Sequence, residues 1–463
     1  MVMSHYIYCP KPQNLSAGGT VGYLTRLYMA FKEFRPQMMT DKDTKIVFKF
    51  AEAKTREHYL DTVTRDVFLE KNDCWRVLSE VLRCEGRIGS RGMKYSRLFR
   101  ALPKCQIFNA NDFANSIHIN GAYSFFPVWN QLRQQGKAFS TLKILTTHNP
   151  FPPHEEEIGL RESRGKWSNA ELSYFKNYLE VRDKLAFMLS DAILCPSEYS
   201  LEGYKDWSTW EDVIKAKPVY YCVTGAPIRE VKSSRKDIRD ALGVPEDATL
   251  IVFLGRKERV RGFDIFVEAA KCILAKSRKI WFVVLGDGAL QSNISDDHFL
   301  EIGFTSQVSD YINAADACVT ANRGSYFDLS MIEIMSLGAI LIASNVGGNK
   351  WLRGKTRGVL YFNSGDVSEL IAAIEYLLTV PVSERVQMRE ENKNLYSCEL
   401  TPFHFQNNYQ KVIDHIRNDI GERIFSSDIK EEMLKVQVIG KQREMLNSVI
   451  RSWKFAFNHI LNG

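Results

Sequence analysis

The segment SYFDLSMIEIMSLGAILIASNVGG, residues 325–348, places polar side chains that suit ligand binding in a mostly apolar sequence. Its apolar residues fit a helix that begins near Asp328, followed by a strand. A helix N-terminus carries a partial positive charge, which favours phosphate or sugar oxygens. Glu333 lies one turn further along, where a carboxylate can accept hydrogen bonds from two neighbouring hydroxyls, such as ribose O2 and O3. The sequence therefore predicts that Glu333 contacts a ligand.

Two arginines, Arg256 and Arg261, follow the apolar run TLIVFLG. Two guanidiniums beside a strand end can bind a diphosphate through bidentate, charge-assisted hydrogen bonds. The alternative is a solvated charged loop, because Lys257, Glu258 and Arg259 are charged as well.

Glycine-rich turns follow two other predicted strands. Gly18 and Gly19 separate HYIYC from a predicted helix, and a backbone without a Cβ lets a ligand approach the helix N-terminus closely. A tight strand-to-helix turn without a ligand is the alternative for this pair. The second turn, VVLGDG, is a common exit from a sheet and carries little information by itself.

The elements that would position these residues alternate between strand and helix. Apolar runs rich in β-branched and aromatic residues predict strands at KIVFKF, LKILTTH, DAILCPS, TLIVFLG, KIWFVVLGDG, ACVTAN and AILIASN. Amphipathic stretches such as GFDIFVEAAKCILAKS separate them, which predicts parallel sheets covered on both faces. The pattern restarts after a polar linker near residue 229. We therefore expect two doubly wound α/β domains with a cleft at the carboxyl ends of both sheets.

The composition is that of an ordinary globular protein, with 45% hydrophobic and 25% charged residues. The formal net charge of +6 fits an anionic ligand or membrane surface and is weak evidence for nucleic acid, which usually needs a concentrated basic stripe. Nine cysteines without a C-x-x-C spacing predict reduced thiols in a cytosolic protein. Neither a signal peptide nor an apolar run of about 18 residues is visible.

Taken in order, these motifs resemble the retaining glycosyltransferases of the two-domain GT-B fold, specifically the family-four group, between residues 5 and 418. The family has a glycine-rich loop after its first strand, which Gly18 and Gly19 match. It also has a histidine after a mid-domain strand, which His148 in TTHNPF matches. The resemblance implies two Rossmann-like domains that face each other across a cleft.

For the second domain the resemblance implies a donor-binding site. Arg256 and Arg261 correspond to the arginine and lysine that bind the donor diphosphate, so arginine replaces lysine at the second position. Residues 303–306 correspond to the loop that holds the nucleobase, and Glu333 to the glutamate that binds the ribose. The implied donor contacts of this domain, besides the arginine pair, are Gly303, Phe304, Thr305, Ser325, Leu329 and Glu333.

The sequence departs from the family pattern at the sugar-recognition corner. The family has two glutamates eight residues apart, and the first, which touches the donor sugar, is replaced here by Ser325. The family's glycine after the aromatic residue is replaced by Asp328. We interpret the two changes together: Asp328 would take over the hydroxyl contact of the missing glutamate. The alternative is that Asp328 is only the N-cap of the helix.

The activity implied by the resemblance is transfer of a sugar from a nucleotide diphosphate donor to an acceptor hydroxyl with retention of configuration. The implied catalytic residues are Arg256, Arg261, His148 and Asp328. Backbone N–H groups near the glycine pair would help to stabilise the leaving diphosphate. His148 would line the sugar pocket, and its alternative is a core histidine. Because no Asp-x-Asp motif stands in a suitable place, we expect neither a metal nor another cofactor.

The resemblance also divides the chain. Residues 1–228 are expected to form an acceptor-binding domain, 229–400 the nucleotide-sugar domain, and 401–463 a helix that crosses back plus a basic amphipathic tail. The tail would lie on an anionic membrane, where a lipid-linked or oligosaccharide acceptor is found. The alternative is that it packs on the first domain or on a second copy of the chain. The implied setting is cytoplasmic, at the inner face of the cell membrane, in bacterial capsule, O-antigen or lipopolysaccharide assembly. The alternatives are a catalytically inactive sugar-binding partner subunit and another GT-B enzyme, such as a nucleotide-sugar epimerase.

Overall fold

The computed structural model describes residues 4–14, 19–34, 44–51, 103, 105–108, 114–135, 137–138, 140–162, 165 and 168–421. Gly18 and the amphipathic tail beyond residue 421 lie outside the described residues.

The first domain is built on a parallel sheet whose six strands have the order β2-β1-β3-β4-β5-β6. The strands are β1 Ser4–Cys9, β2 Lys45–Phe50, β3 Ala114–Asn120, β4 Leu142–Thr146, β5 Ala192–Cys195 and β6 Val219–Tyr221. The helices described in this domain are α1 Gly19–Phe34, α2 Phe125–Gln134, α3 Pro153–Glu162 and α4 Asn169–Leu189.

The second domain repeats this plan with the strand order β12-β11-β10-β7-β8-β9, again with parallel pairs. Its strands are β7 Thr249–Leu254, β8 Ile280–Leu285, β9 Phe299–Gly303, β10 Ala317–Thr320, β11 Ile340–Ser344 and β12 Val359–Phe362. Its helices are α5 Arg235–Leu242, α6 Phe263–Leu274, α7 Val308–Ala314, α8 Leu329–Ser336, α9 Val367–Thr379 and α10 Val382–Leu395. The prediction of two doubly wound α/β domains is confirmed.

The helix after the second domain, α11 Pro402–Ile416, returns to the first. Its apolar face is buried with strand and helix residues of the first domain, such as Ile7 and Leu24. The Tyr409 hydroxyl is 3.1 Å from His5 Nε2 and 2.7 Å from His118 Nδ1. These buried contacts fasten α11 to the first sheet.

Loops at the carboxyl ends of the two sheets touch. The Ser200 hydroxyl, after β5, donates to the Tyr326 carbonyl, after β10, over 2.8 Å. Glu202 accepts a 2.6 Å hydrogen bond from the Gly347 amide and pairs with Lys350. Because parallel strands end at one edge of each sheet, these contacts set the two ligand-binding edges face to face. In the part of the chain that the structure describes, no helix is long and apolar enough to cross a membrane.

Candidate active site

The loop between β7 and α6 holds the predicted arginine pair. Gly262 has a φ of 68°, and a Cβ at this position would overlap the backbone of Ala321 after β10. Only glycine fits such a left-handed conformation against another backbone, so the turn brings Arg261 against the start of α8. The Arg261 Nη1 atom donates to Asp328 Oδ1 over 2.8 Å. Asp328 raises the pKa of Arg261, which stays fully charged.

Asp328 precedes the first residue of α8, Leu329, yet its side chain makes no capping hydrogen bond. Instead, the carboxylate binds Arg261, the Asn322 amide group and the Ser325 hydroxyl, whose Oγ is 3.0 Å from Oδ2. The two residues that depart from the family pattern therefore contact each other. The first turn of α8, beginning at Leu329, is left without a side-chain cap, and its amides can meet an anion. Sequence reasoning missed Asn322, which stands two residues past β10.

Arg256 is placed differently from Arg261. Its side chain is 57% exposed and its Nη1 donates to Glu258 over 2.9 Å, within the same loop. Lys257 pairs with Glu301 at 2.7 Å and Arg259 lies 3.7 Å from Asp264. The alternative of a solvated charged loop thus fits the exposed side chains of Arg256 and Arg259. Lys257 is mostly buried, and Arg261 pairs with Asp328 at the start of α8.

Glu333 lies at the boundary between the domains. Its Oε1 atom is 2.7 Å from Arg229, in the segment that links the domains, and 3.4 Å from Arg26, on α1. Its Oε2 atom has no hydrogen bond to any residue that the structure describes, which leaves it able to accept one from a ligand. Sequence reasoning missed both arginines, since neither lies in a recognisable motif.

The loop after β9 offers an aromatic surface. Gly303 has a φ of 76° and its carbonyl accepts a 2.8 Å hydrogen bond from the Gly286 amide, which ties this loop to the end of β8. Phe304 is 80% exposed, so its ring is open to a flat partner. The Thr305 hydroxyl accepts from the Gln307 amide at 3.1 Å, which holds the turn that presents the ring.

His148 follows β4 on the opposite wall. Its φ of 63° is unusual for a residue with a side chain, and such backbone outliers cluster at functional sites. Its Nε2 is 2.8 Å from Asn120 Oδ1, and its ring packs 4.7 Å from the Tyr23 ring, centre to centre. Burial lowers the pKa of His148 to about 3. The imidazole is therefore neutral at physiological pH, with Nε2 as the donor to Asn120, a partner that the sequence did not reveal.

Gly19 begins α1 with a φ of 56°, and a Cβ there would meet open space. A ligand can thus reach this helix end, although its neighbour Gly18 lies outside the described residues. Within the described ranges, no group of three His, Cys, Asp or Glu side chains is arranged to hold a metal.

Taken together, these groups suit an anionic, polyhydroxylated ligand. Arg261 and the uncapped start of α8 supply positive charge, whereas Glu333 supplies an acceptor for hydroxyls. His148, on the opposite wall, is neutral because of burial.

The second half of the chain is similar in sequence to known proteins. Residues 248–380 match the family described as Glycosyl transferases group 1. TuaC of Bacillus subtilis, a glycosyltransferase assigned to teichuronic acid biosynthesis, is 33% identical over 131 residues, which are 28% of this chain and 33% of TuaC. D-inositol 3-phosphate glycosyltransferase of Paenarthrobacter aurescens is 25% identical over 203 residues, 41% of this chain and 48% of that protein. The matches span about a third to a half of the length of these relatives.

Solved structures extend the likeness to nearly the whole chain. Sucrose-phosphate synthase of Thermosynechococcus elongatus superposes with a TM-score of 0.55 at 17% identity, covering 90% of this chain and 99% of that one. HepE of Anabaena, in complex with UDP and glucose, gives a TM-score of 0.54 at 11% identity and covers 89% and 99%. At such identities the likeness concerns the fold alone. The chain thus has the GT-B fold, and residues 248–380 of its second domain are similar to the family described as Glycosyl transferases group 1.

Proposed function

We propose that the protein is a retaining glycosyltransferase that moves a sugar from a nucleotide diphosphate donor to an acceptor hydroxyl. One observation carries the proposal: Arg261 and the uncapped first turn of α8 converge at the cleft. Both lie within the residues that match the glycosyl transferase family. A donor diphosphate is the ligand that this combination of guanidinium and helix N-terminus suits.

The donor would extend along the edge of the second sheet. The diphosphate would lie between Arg261 and the amides that begin at Leu329, with Arg256 at the cleft mouth. The ribose would bind Glu333 through Oε2, which the two neighbouring arginines leave open. The nucleobase would stack on Phe304, whose ring is exposed.

The transfer step breaks the bond between the anomeric carbon and the phosphate oxygen and forms a bond to the acceptor oxygen on the same face. The acceptor proton passes to the leaving phosphate oxygen, so the step needs no other proton acceptor. Negative charge grows on the diphosphate, and Arg261 stabilises it. His148, neutral because of burial, would position the sugar rather than exchange protons. Catalysis without a metal or another cofactor is part of this proposal.

The acceptor is proposed from the family resemblance and from the name of one relative. The resemblance favours a surface saccharide, free or lipid-linked, in bacterial capsule, O-antigen or lipopolysaccharide assembly, and the name of TuaC refers to the biosynthesis of teichuronic acid. The tail over residues 422–463, whose placement the structure does not describe, would contact an anionic membrane from the cytoplasmic side or a second copy of the chain. Flotation with anionic vesicles, for the full chain and a chain ending near residue 420, tests this part: the membrane contact requires that only the full chain floats.

A catalytically inactive, sugar-binding partner subunit is the second candidate, because Ser325 replaces a carboxylate that touches the donor sugar in the family. The two candidates differ in nucleotide release. We would incubate the protein with a panel of UDP-, GDP-, ADP- and dTDP-sugars and measure the nucleoside diphosphate released, then assign the anomer of any transfer product by NMR. Release with one donor and a retained anomer is expected; binding without release supports the inactive subunit, and no binding at all contradicts both.

A further inference from the structure

Asp328, Glu333 and Glu156 are carboxylates near the sugar-recognition corner of the cleft, and the first two are already engaged. Asp328 binds Arg261, Asn322 and Ser325. Glu333 is paired with two arginines at the ribose position. The third, Glu156, lies on the first turn of α3 in the opposite domain.

Glu156 has unused hydrogen-bonding capacity. Its Oε2 atom accepts a 2.7 Å hydrogen bond from the Asn149 side chain, next to His148. Its Oε1 atom is buried and has no hydrogen-bond partner among the described residues. A buried polar atom without a partner is costly, and a ligand hydroxyl at Oε1 would remove that cost.

The segment that leads into α3 packs against the sugar-recognition corner, since a Cβ at Gly324, next to Ser325, would lie 2.6 Å from the Phe151 ring. Burial raises the pKa of the Glu156 carboxyl, whereas the hydrogen bond from Asn149 and the positive charges of Arg261 and Arg256 act in the opposite direction. These charges act across the cleft, since no ion pair joins Glu156 to either arginine in the described structure. The gap between carboxylate and guanidinium is where a sugar attached to the diphosphate would lie.

The neighbours of Glu156 hold α3 in this orientation. The His154 backbone N–H and ring Nδ1 lie 2.7 Å and 3.2 Å from Asp183 Oδ2 on α4. Glu157 accepts a 2.7 Å hydrogen bond from Arg182, whose side chain is almost fully buried. Because these two side chains bind into the first domain, α3 is fixed, and Glu156 is presented to the cleft by a rigid element.

We propose that Glu156 binds a hydroxyl of the donor sugar and so supplies, from the first domain, the carboxylate that the family keeps at position 325. The inference rests on the proposed glycosyltransferase function and adds a specificity residue to the same site. The sugar hydroxyl donates to Oε1 and stands between the carboxylate and the diphosphate, which keeps the two negative groups apart.

The test compares the binding of whole donors with that of their leaving group. We would titrate the panel of nucleotide sugars and the matching free nucleoside diphosphates calorimetrically into wild type, Glu156→Gln and the control Glu155→Gln. Glu155 is the exposed neighbour on the same helix turn. We expect Glu156→Gln to weaken binding of the nucleotide sugar about tenfold, the scale for a lost hydrogen bond to a charged group. Its affinity for the free diphosphate, and both affinities of Glu155→Gln, should stay as in wild type.

Equal weakening of sugar and free diphosphate, or no change in either, would overturn the inference. Thermal unfolding checks that Glu156→Gln is folded. Glu156→Asp keeps the charge, but its side chain is one methylene shorter, and we expect the same loss of binding from this second variant. Failure of the proposed function looks different: wild type itself would then bind no member of the panel.

Discussion

The two walls of the cleft are built in different ways. The wall from the second domain is charged: Arg261, Ser325 and Asp328 come from two loops of one sheet edge and bind one another. On the wall from the first domain, the neutral pair of Asn120 and His148 stands at the ends of the adjacent strands β3 and β4. The difference suits the proposed function, in which the second domain would hold the anionic part of the donor and the first would surround the sugar.

The two domains also differ in the pKa values of their buried groups. Burial lowers the pKa of His5 and of His148 to about 3, and that of His118 to well below its usual value. All three belong to the first domain. The second domain's Arg261 has a raised pKa and keeps its charge in the whole range where proteins are stable.

Acidification should therefore weaken the first domain most, and this is the largest effect that we expect. Below about pH 6.5 the unfolded chain binds protons at these histidines, whereas in the folded chain His5 and His148 stay neutral down to about pH 3. Stability therefore falls as pH falls through this window. Each histidine contributes about 1.4 kcal/mol per pH unit. Urea unfolding at pH 7 and pH 5, followed by pulsed amide exchange at one labelling pH, should show the first sheet exposed at lower urea at pH 5. Equal sensitivity of both sheets would remove this contrast.

Loss of Arg261 should have the largest effect on activity. Arg261→Ala removes a charged hydrogen-bond donor from the leaving diphosphate and should lower kcat/KM by about 2 kcal/mol, roughly 30-fold. Arg259→Ala is the matched control, since this side chain is 79% exposed in the same turn. Steady-state nucleotide release measures both. If the two variants behave alike, the diphosphate site has been misplaced.

Replacing Glu333 should lower activity less than replacing Arg261. Its carboxylate would bind the ligand and also forms ion pairs with Arg26 and Arg229. Glu333→Gln should raise the donor KM by about 1 kcal/mol, roughly fivefold, through a weaker bond to the ribose. It should also lower the melting temperature, because Arg26 is buried and loses a charged partner. An unchanged affinity for the free nucleotide would leave Glu333 only its ion pairs with Arg26 and Arg229.

Most strands and the arginine loop could be predicted from the sequence, whereas some strands and most side-chain partners could not. Strands such as β2 and β7 were predicted from apolar runs almost to the residue, and the arginine loop was found because turn, charge and helix start lie close together. β3 was missed because its sequence ANSIHIN is not a continuous apolar run, and β6 because it has only three residues. β9 and β12 were missed as well.

Side-chain partners across the domains could not be predicted. Nothing local in the sequence pairs Arg26 with Glu333, which are 307 residues apart. Glu156 lies in an acidic run that resembles any solvated helix start, and only the packing of α3 shows that its Oε1 atom is buried while its Oε2 atom binds Asn149. For Asp328, the sequence showed its position before α8. Its bonds to Arg261, Asn322 and Ser325 could not be predicted, because they require the loops after β7 and β10 to meet.

The most direct test of the account is to locate a bound nucleoside diphosphate. Amide hydrogen exchange would be measured with and without a saturating amount of whichever of UDP, GDP, ADP or dTDP binds most tightly. We predict new protection in the second domain, over residues 255–262, 303–306 and 325–333, with little change in the loops after β3 and β4. Protection confined to the first domain, or none in these three segments at saturation, would contradict the assignment of the second-domain wall as the site of the donor diphosphate.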